Sequence, residues 1–333
     1  MGQVVGIVET RQRAVTGRVL LLIVAGIALY VVFPSLVEVL EAWPRLADIA
    51  PGWFALMLAA EVTSFAAVWY LQRIAFRDAG WFDLVTSQLA SNAFSRIVPG
   101  GAAAGGALQF RMLSAGGADP AAAATSLTAL SLITTASLFV LPVLSIPAIV
   151  AGMPVPDGII QAAWIGAGLF LALGVLAMVL ARSSRLLVKL GNLIEMVRPT
   201  KGDRETWPTR LVRERDDVIS AIGRRWPLAA GASVAKWLFD FYALLAALVA
   251  VGDDSRISLV LLAYVAGAVL SMVPVTPGGL GFVEAGLTAT LTASGVSPGR
   301  AVLATLAYRL VSYWLPLIAG LGAYVWWRFR RMP

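Results

Sequence analysis

Apolar runs of about twenty residues or more recur along this chain, at roughly 19–40, 51–72, 119–148, 158–181, 227–251 and 299–327. A bilayer core about 30 Å thick needs roughly 20 apolar residues as helix, because lipid offers no partner to an open backbone N–H or C=O. Runs of this length predict membrane-spanning helices, and residues 1–333 read as one all-α integral membrane domain. Composition agrees: 59% of the residues are apolar and 14% charged, against about 45–50% and about 25% in soluble domains.

Two further apolar stretches, 81–113 and 256–295, are each cut by a Pro-Gly-Gly, at Pro99-Gly100-Gly101 and Pro277-Gly278-Gly279. Proline cannot continue a helix and paired glycines loosen it, so each stretch should be two half-helices joined by a turn. The expected fold is therefore about six full transmembrane helices plus two broken helical hairpins, re-entrant or spanning. Cysteine and histidine are both absent. That removes disulfides, thiolate nucleophiles, His-based metal sites and Ser-His catalysis, so few enzyme mechanisms survive; no catalytic residue, metal or cofactor is expected and the chain reads as a non-enzyme, the disfavoured alternative being an intramembrane enzyme that acts through carboxylates such as Glu284.

Twenty-six Lys and Arg against nineteen acids give a formal charge of +7. In a soluble protein that would point to nucleic acid; in a membrane protein it reports cytoplasmic loops, and no nucleic-acid partner is expected. Arg11, Arg13 and Arg18 precede a first apolar run too long for a signal-peptide core, with no small-residue cleavage site after it, so that run should remain as an anchor. Segment 182–226, a basic connector, carries eleven Arg or Lys against six acids, and the tail holds Arg328, Arg330 and Arg331. The positive-inside rule places that connector and both termini in the cytoplasm of a multi-pass cell-membrane protein. Glu41, Asp48, Asp157, Asp253 and Asp254 mark the outer loops, with Trp43 and Trp53 at the outer interface and Trp81, Trp226, Trp326 and Trp327 at the inner one.

Aligning the two Pro-Gly-Gly turns brings Pro120 onto Pro298, each twenty-one residues after its turn, and Gly117 onto Gly295. Each second proline is followed by a long apolar run that itself contains a proline, Pro142 or Pro316. The chain is thus expected to hold two repeat units, 81–148 and 256–327. The first is entered from the cytoplasm and the second from outside, which inverts one relative to the other, as in many secondary transporters.

Ionisable groups inside lipid cost about 2.5–3.5 kcal/mol each on insertion scales and need a partner or a task. Those within the apolar stretches are Glu61, Arg96, Arg111, Lys236, Asp240, Glu284 and Arg309. Lys236 and Asp240 are four apart on one helix face and form either an internal ion pair or part of a ligand site. Glu284 and Arg309 read as mutual partners. Arg96 and Arg111 flank the first Pro-Gly-Gly with no acid in their own hairpin; guanidinium donors suit a phosphate, the alternative for Arg111 being extension to the cytoplasmic surface. Gly101 and Gly105 fit close helix packing rather than chemistry.

The run Pro274-Val275-Thr276-Pro277-Gly278-Gly279-Leu280-Gly281-Phe282-Val283-Glu284-Ala285, followed by Tyr308-Arg309-Leu310 and Trp314-Leu315-Pro316, resembles the C-terminal signature of the lysylphosphatidylglycerol synthase transmembrane (flippase-like) family. Asn92, Pro99-Gly100-Gly101, Gly105-Gly106 and Arg111 resemble its first signature, and Trp237 with Asp240 its middle helix. The first motif departs from the commoner form, which places an Arg and a Gly-Glu soon after the proline where glycines and alanines stand here. The resemblance implies an integral membrane protein with re-entrant helices, related to the lipid-translocating half of bifunctional aminoacyl-phosphatidylglycerol synthases. With no soluble transferase domain before Pro333, the expectation is the translocating half alone.

The expected function is a lipid flippase that passes a polar, phosphate-containing headgroup through a cavity between the two hairpins. Expected headgroup contacts are Asn92, Arg96, Pro99, Gly100, Gly101, Arg111, Lys236, Asp240, Pro277, Gly278, Gly279, Glu284 and Arg309. The alternative is a non-transporting scaffold that presents a lipid to a separate glycosyl- or aminoacyl-transferase. Candidate partners are membrane lipids, either phospholipid or polyprenyl-phosphate-linked, a separate membrane or cytoplasmic transferase, and a second copy of the chain.

Overall fold

A computed structural model describes residues 41–98, 101–138, 182–197, 205–254, 256–272 and 277–331, with a few single positions near 37, at 141 and between 161 and 179. Eleven helices and no strand occur among them. They are α1 (Pro51–Ala75), α2 (Trp81–Ile97), α3 (Gly101–Ala115), α4 (Pro120–Leu138), α5 (Ser184–Val197), α6 (Trp207–Ile222), α7 (Trp226–Ala250), α8 (Ile257–Met272), α9 (Phe282–Ala293), α10 (Pro298–Arg309) and α11 (Leu315–Arg331). A π-helical turn, Leu310–Trp314, joins α10 to α11.

Three apolar helices are long enough to cross a bilayer: Pro51–Ala75, Gly223–Ala250 and the continuous Pro298–Arg331. They match the runs at 51–72, 227–251 and 299–327. The runs at 19–40 and most of 158–181, the end of 119–148 with Pro142, and Arg11, Arg13 and Arg18 lie outside the described residues. Proline opens several helices where its missing N–H is harmless: Pro51, Pro120 and Pro298 stand at the first position of α1, α4 and α10. Asp119 also caps α4, its Oδ1 accepting from the Ala122 N–H at 2.8 Å.

Both apolar stretches with a Pro-Gly-Gly divide there into two helices that fold back on each other. In the first, Gly105 of α3 lies against Ser95 and the Ser91 carbonyl of α2, with no room for a Cβ. The small-residue run is therefore a packing face. In the second, the hydroxyls of Thr290 on α9 and of Ser294, the residue just past its end, reach the Ala263 and Leu259 carbonyls of α8. The arms contain 17, 15, 16 and 12 residues, each short of the roughly 20 a crossing needs.

The two hairpins share local geometry in register. Both second arms end in a Schellman motif. Ala118 N–H reaches the Leu113 carbonyl and Gly117 N–H that of Ser114; Val296 N–H reaches Leu291 and Gly295 N–H reaches Thr292, all at 3.0–3.2 Å. The glycine at the left-handed position has φ 100° at Gly117 and 101° at Gly295. A side chain there would be strained, which is why glycine recurs at both.

The apolar core gathers α1, α7, α8, α9 and α10 around Met57, Leu244, Val260, Leu291 and Ala304. Helix α11 lies along α2, where Gly320 sets its backbone against the Leu89 carbonyl and Ala93. At the end of α11, Trp327 is buried and donates to Asp83 Oδ1 at 3.3 Å, while Arg331 pairs with Asp83 Oδ2 at 2.6 Å. Trp327 is thus turned into the protein at this end of the helix. Adjacent helical residues point about 100° apart, so Trp326 takes the exposed position and Trp327 turns inward.

Candidate functional site

Six of the seven charges within the apolar stretches assemble where the two hairpin tips meet. Gly278, with φ 64°, sits against the Arg96 backbone carbonyl and the Tyr313 hydroxyl, where a Cβ would collide with both. Leu280 of the second turn packs with Ala93, Tyr313 and Leu317, and Ile97 of the first hairpin borders that cluster. The tip of one hairpin thus rests on the end of α2 in the other.

Around this contact stand three acids and three bases. Glu61 comes from α1, Arg96 from α2, Lys236 and Asp240 from α7, Glu284 from α9 and Arg309 from α10. Formal charge balances across the set, as a low-dielectric site requires. Asp240 is its most heavily bonded member: Tyr264 donates to Oδ2 at 2.8 Å, Tyr308 to Oδ1 at 2.7 Å, and Lys236 Nζ lies 3.7 Å from Oδ2. The α7 backbone is fixed there by Ser64, whose hydroxyl donates to the Lys236 carbonyl at 2.9 Å. The Trp237 indole is held by the Thr134 carbonyl at 2.8 Å. Lys236 and Asp240 therefore form the internal pair that their spacing allowed, and the two tyrosines are additions that helix spacing did not reveal.

Glu284 and Arg309 are paired through Nε and Oε1 at 2.6 Å. The pair is left half open, since Glu284 Oε2 and Arg309 Nη2 are buried with no partner in the protein. Asn92 Oδ1 and Glu61 Oε2 are likewise buried and unpartnered. Open acceptors and a guanidinium donor beside a hairpin contact can bind a polar group; buried polar atoms otherwise carry a desolvation cost.

Arg96, which has no acid in its own hairpin, is partnered by backbone carbonyls. Its Nη1 donates to the Tyr313 carbonyl at 2.5 Å and its Nη2 to the Ser312 carbonyl at 3.0 Å, and the guanidinium lies over the Tyr313 ring at 4.6 Å. The cause lies in the facing helix. Pro316 has no N–H to offer the carbonyl four residues back, Ser312, and the π-turn displaces its neighbours from α-helical register. Arg96, from the first hairpin, supplies the donor that Ser312 lacks and also reaches the Tyr313 carbonyl. Arg309 lies over the same ring at 4.3 Å, so Tyr313 bears two guanidinium groups.

Arg111 is not brought to this cluster. It is exposed on α3, about 15 Å along the helix axis from the turn at 1.5 Å per residue. Arg96 and Arg111 therefore stand in different surroundings, and the exposure of Arg111 agrees with the alternative in which it extends to a surface. Pro99 and Gly100 lie outside the described residues. Gly101 starts α3 with φ 43°, and Pro277, Gly278 and Gly279 form one 3-10 turn. Among the described residues no group of three or more acids is placed to hold a metal ion.

Sequence reasoning missed Tyr264, Tyr308, Ser312 and Tyr313 as members. The signal available was Glu61, a lone acid in an apolar helix, which needs partners from elsewhere.

A family model described as lysylphosphatidylglycerol synthase TM region matches residues 19–320. A UPF0104 membrane protein of Methanothermobacter thermautotrophicus is 28% identical over 87 residues, 26% of each chain. Another UPF0104 membrane protein, from Pyrococcus horikoshii, is 34% identical over 90 residues, 27% of this chain and 25% of its own length. The matched stretch spans about a quarter of each relative.

Proposed function

Because this chain belongs to the lysylphosphatidylglycerol synthase TM region family, we propose that it moves the polar headgroup of a membrane lipid across the bilayer while the tails stay in lipid. The carrying observation is the charge-balanced cluster at the contact between the hairpin tips, with Arg309 Nη2, Glu284 Oε2 and Asn92 Oδ1 left unpartnered. An arginine donor beside open acceptors suits a headgroup that bears a phosphate together with a donor such as an amine or hydroxyl. In this reading the hairpins are re-entrant and inverted relative to one another, both termini are cytoplasmic, and the tips part to admit the headgroup. The chain acts by transport and not by catalysis.

A second reading has its own observation. Gly278 packs so closely on Arg96 and Tyr313 that the tips could stay shut, as in a scaffold that presents lipid to a separate transferase. Reconstitution into liposomes with labelled lipids of several headgroups separates the two. Transport requires that at least one phosphate-bearing lipid equilibrate between leaflets faster than in protein-free vesicles. Binding of lipid without any gain in leaflet exchange establishes the scaffold instead.

A further inference from the structure

The basic connector carries an exposed apolar face that neither reading of the hairpins uses. Helix α5 is tied to α6 along one side. Arg215 donates to Ser184 Oγ at 2.8 Å, Glu195 Oε2 accepts from the Trp207 N–H at 2.9 Å, and Gly191 sits on Pro208 with no room for a Cβ. Helix α6 in turn packs on α1 and α4. Next to the bonded side of α5 runs an apolar stripe: at about 100° per residue, Leu186, Leu190, Leu193 and Ile194 fall within an arc of about 100°. Leu190, Leu193 and Ile194 are exposed, Leu193 at 58%. Arg185 and Lys189, both exposed, border the stripe on the side away from α6. Glu195, the one acid in the α5 sequence, is turned to α6.

Leucines exposed at helical spacing, with bases along one edge, make up a helix that lies in a membrane interface: the apolar side enters the acyl chains while the bases reach the phosphates. Placement in the chain agrees. The apolar run 158–181, of spanning length, ends just before α5 begins. The bilayer-long segment Gly223–Ala250 starts where α6 ends, with Arg224, Arg225 and Trp226 exposed at that boundary. The α5–α6 pair is therefore tethered at both ends to the membrane surface. We infer that α5 lies in the plane of the bilayer as a docking helix for anionic lipid. Its stripe of Leu186, Leu190, Leu193 and Ile194 enters the leaflet, and Arg185 and Lys189 meet the lipid phosphates. Acidic lipid satisfies the stripe and the bases together, and the chain's own membrane supplies it. The inference is independent of transport, since a flippase and a scaffold would seat this helix alike.

The test uses the full chain in vesicles of phosphatidylcholine and phosphatidylglycerol. Single cysteines, Leu193→Cys on the stripe and Asn192→Cys on the far side, each carry a small fluorophore in this otherwise cysteine-free chain. Both positions are exposed, so thermal midpoints in detergent should match the wild type. A nitroxide on the lipid acyl chain quenches only a fluorophore that lies among those chains. The label at Leu193→Cys should be quenched strongly and the label at Asn192→Cys little. Moving the nitroxide from phosphatidylcholine to phosphatidylglycerol, at constant lipid composition, should deepen quenching at Leu193→Cys. Arg185→Gln with Lys189→Gln should abolish that gain, and raised salt should shrink it. Equal quenching at the two positions, or none at Leu193→Cys, overturns the inference and leaves the stripe to water, to a second copy or to another protein. Quenching at Leu193→Cys that ignores which lipid bears the nitroxide, or a gain that survives loss of both bases, overturns the assignment to anionic lipid.

Discussion

Arg96 carries the most specific lesson at the scale of single residues. A guanidinium inside lipid needs acceptors, and it finds them in the Ser312 and Tyr313 backbone carbonyls, the first of which Pro316 leaves without its usual donor. Arg96→Gln should lower stability by about 2 kcal/mol or more, since hydrogen bonds to a charged donor contribute about 1.5–3 kcal/mol. In a Pro316→Ala background the helix regains an N–H for Ser312, and the same substitution should cost less. Thermal midpoints of the four proteins in detergent check this; equal losses in both backgrounds would separate Arg96 from Pro316. For Glu284 and Arg309, removal of either partner leaves a buried charge and should cost about 3–5 kcal/mol. Glu284→Gln with Arg309→Gln should cost clearly less than the sum, and additive losses in that cycle would show two independent sites.

At the scale of elements, the turns decide the arrangement, and glycine matters there for two separable reasons. Gly117 has φ 100° in open space, so Gly117→Ala meets only backbone strain, about 1–2 kcal/mol. Gly278 adds a collision with Arg96 and Tyr313 to its positive φ, so Gly278→Ala should destabilise more and force the tips apart. Similar midpoints for the two variants would mean that the tips do not rest on each other in the membrane. The breaks themselves were legible in the sequence, because Pro-Gly-Gly acts through its own backbone. The π-turn at Leu310–Trp314 was not legible, since the donor that satisfies it lies more than two hundred residues away in the chain. Tyr264 and Tyr308 stayed hidden for a related reason: a tyrosine in an apolar helix shows its hydroxyl's partner only once the neighbouring helices are placed. The ion pairs Lys236–Asp240 and Glu284–Arg309 were accessible, the first through four-residue spacing and the second through the scarcity of other partners.

For the whole molecule, orientation and movement follow from charge and from the tip contact. Single cysteines replacing exposed Arg224 and Asp254 in this cysteine-free chain should label from opposite sides of the membrane, Arg224→Cys from the cytoplasm; labelling of both from one side would contradict the inverted arrangement. The central claim is that the two hairpin tips form the headgroup site and part during each passage. Cysteines at Ile97 and Leu280, which meet in one apolar cluster, allow the tips to be tied by a short, reducible thiol-specific cross-linker and released again. Leaflet exchange of a labelled phosphate-bearing lipid, measured on the same vesicles before linking, after linking and after release, tests that claim directly. The account expects exchange to fall to the protein-free rate on linking and to return on release; exchange at the full rate through linked tips would contradict it.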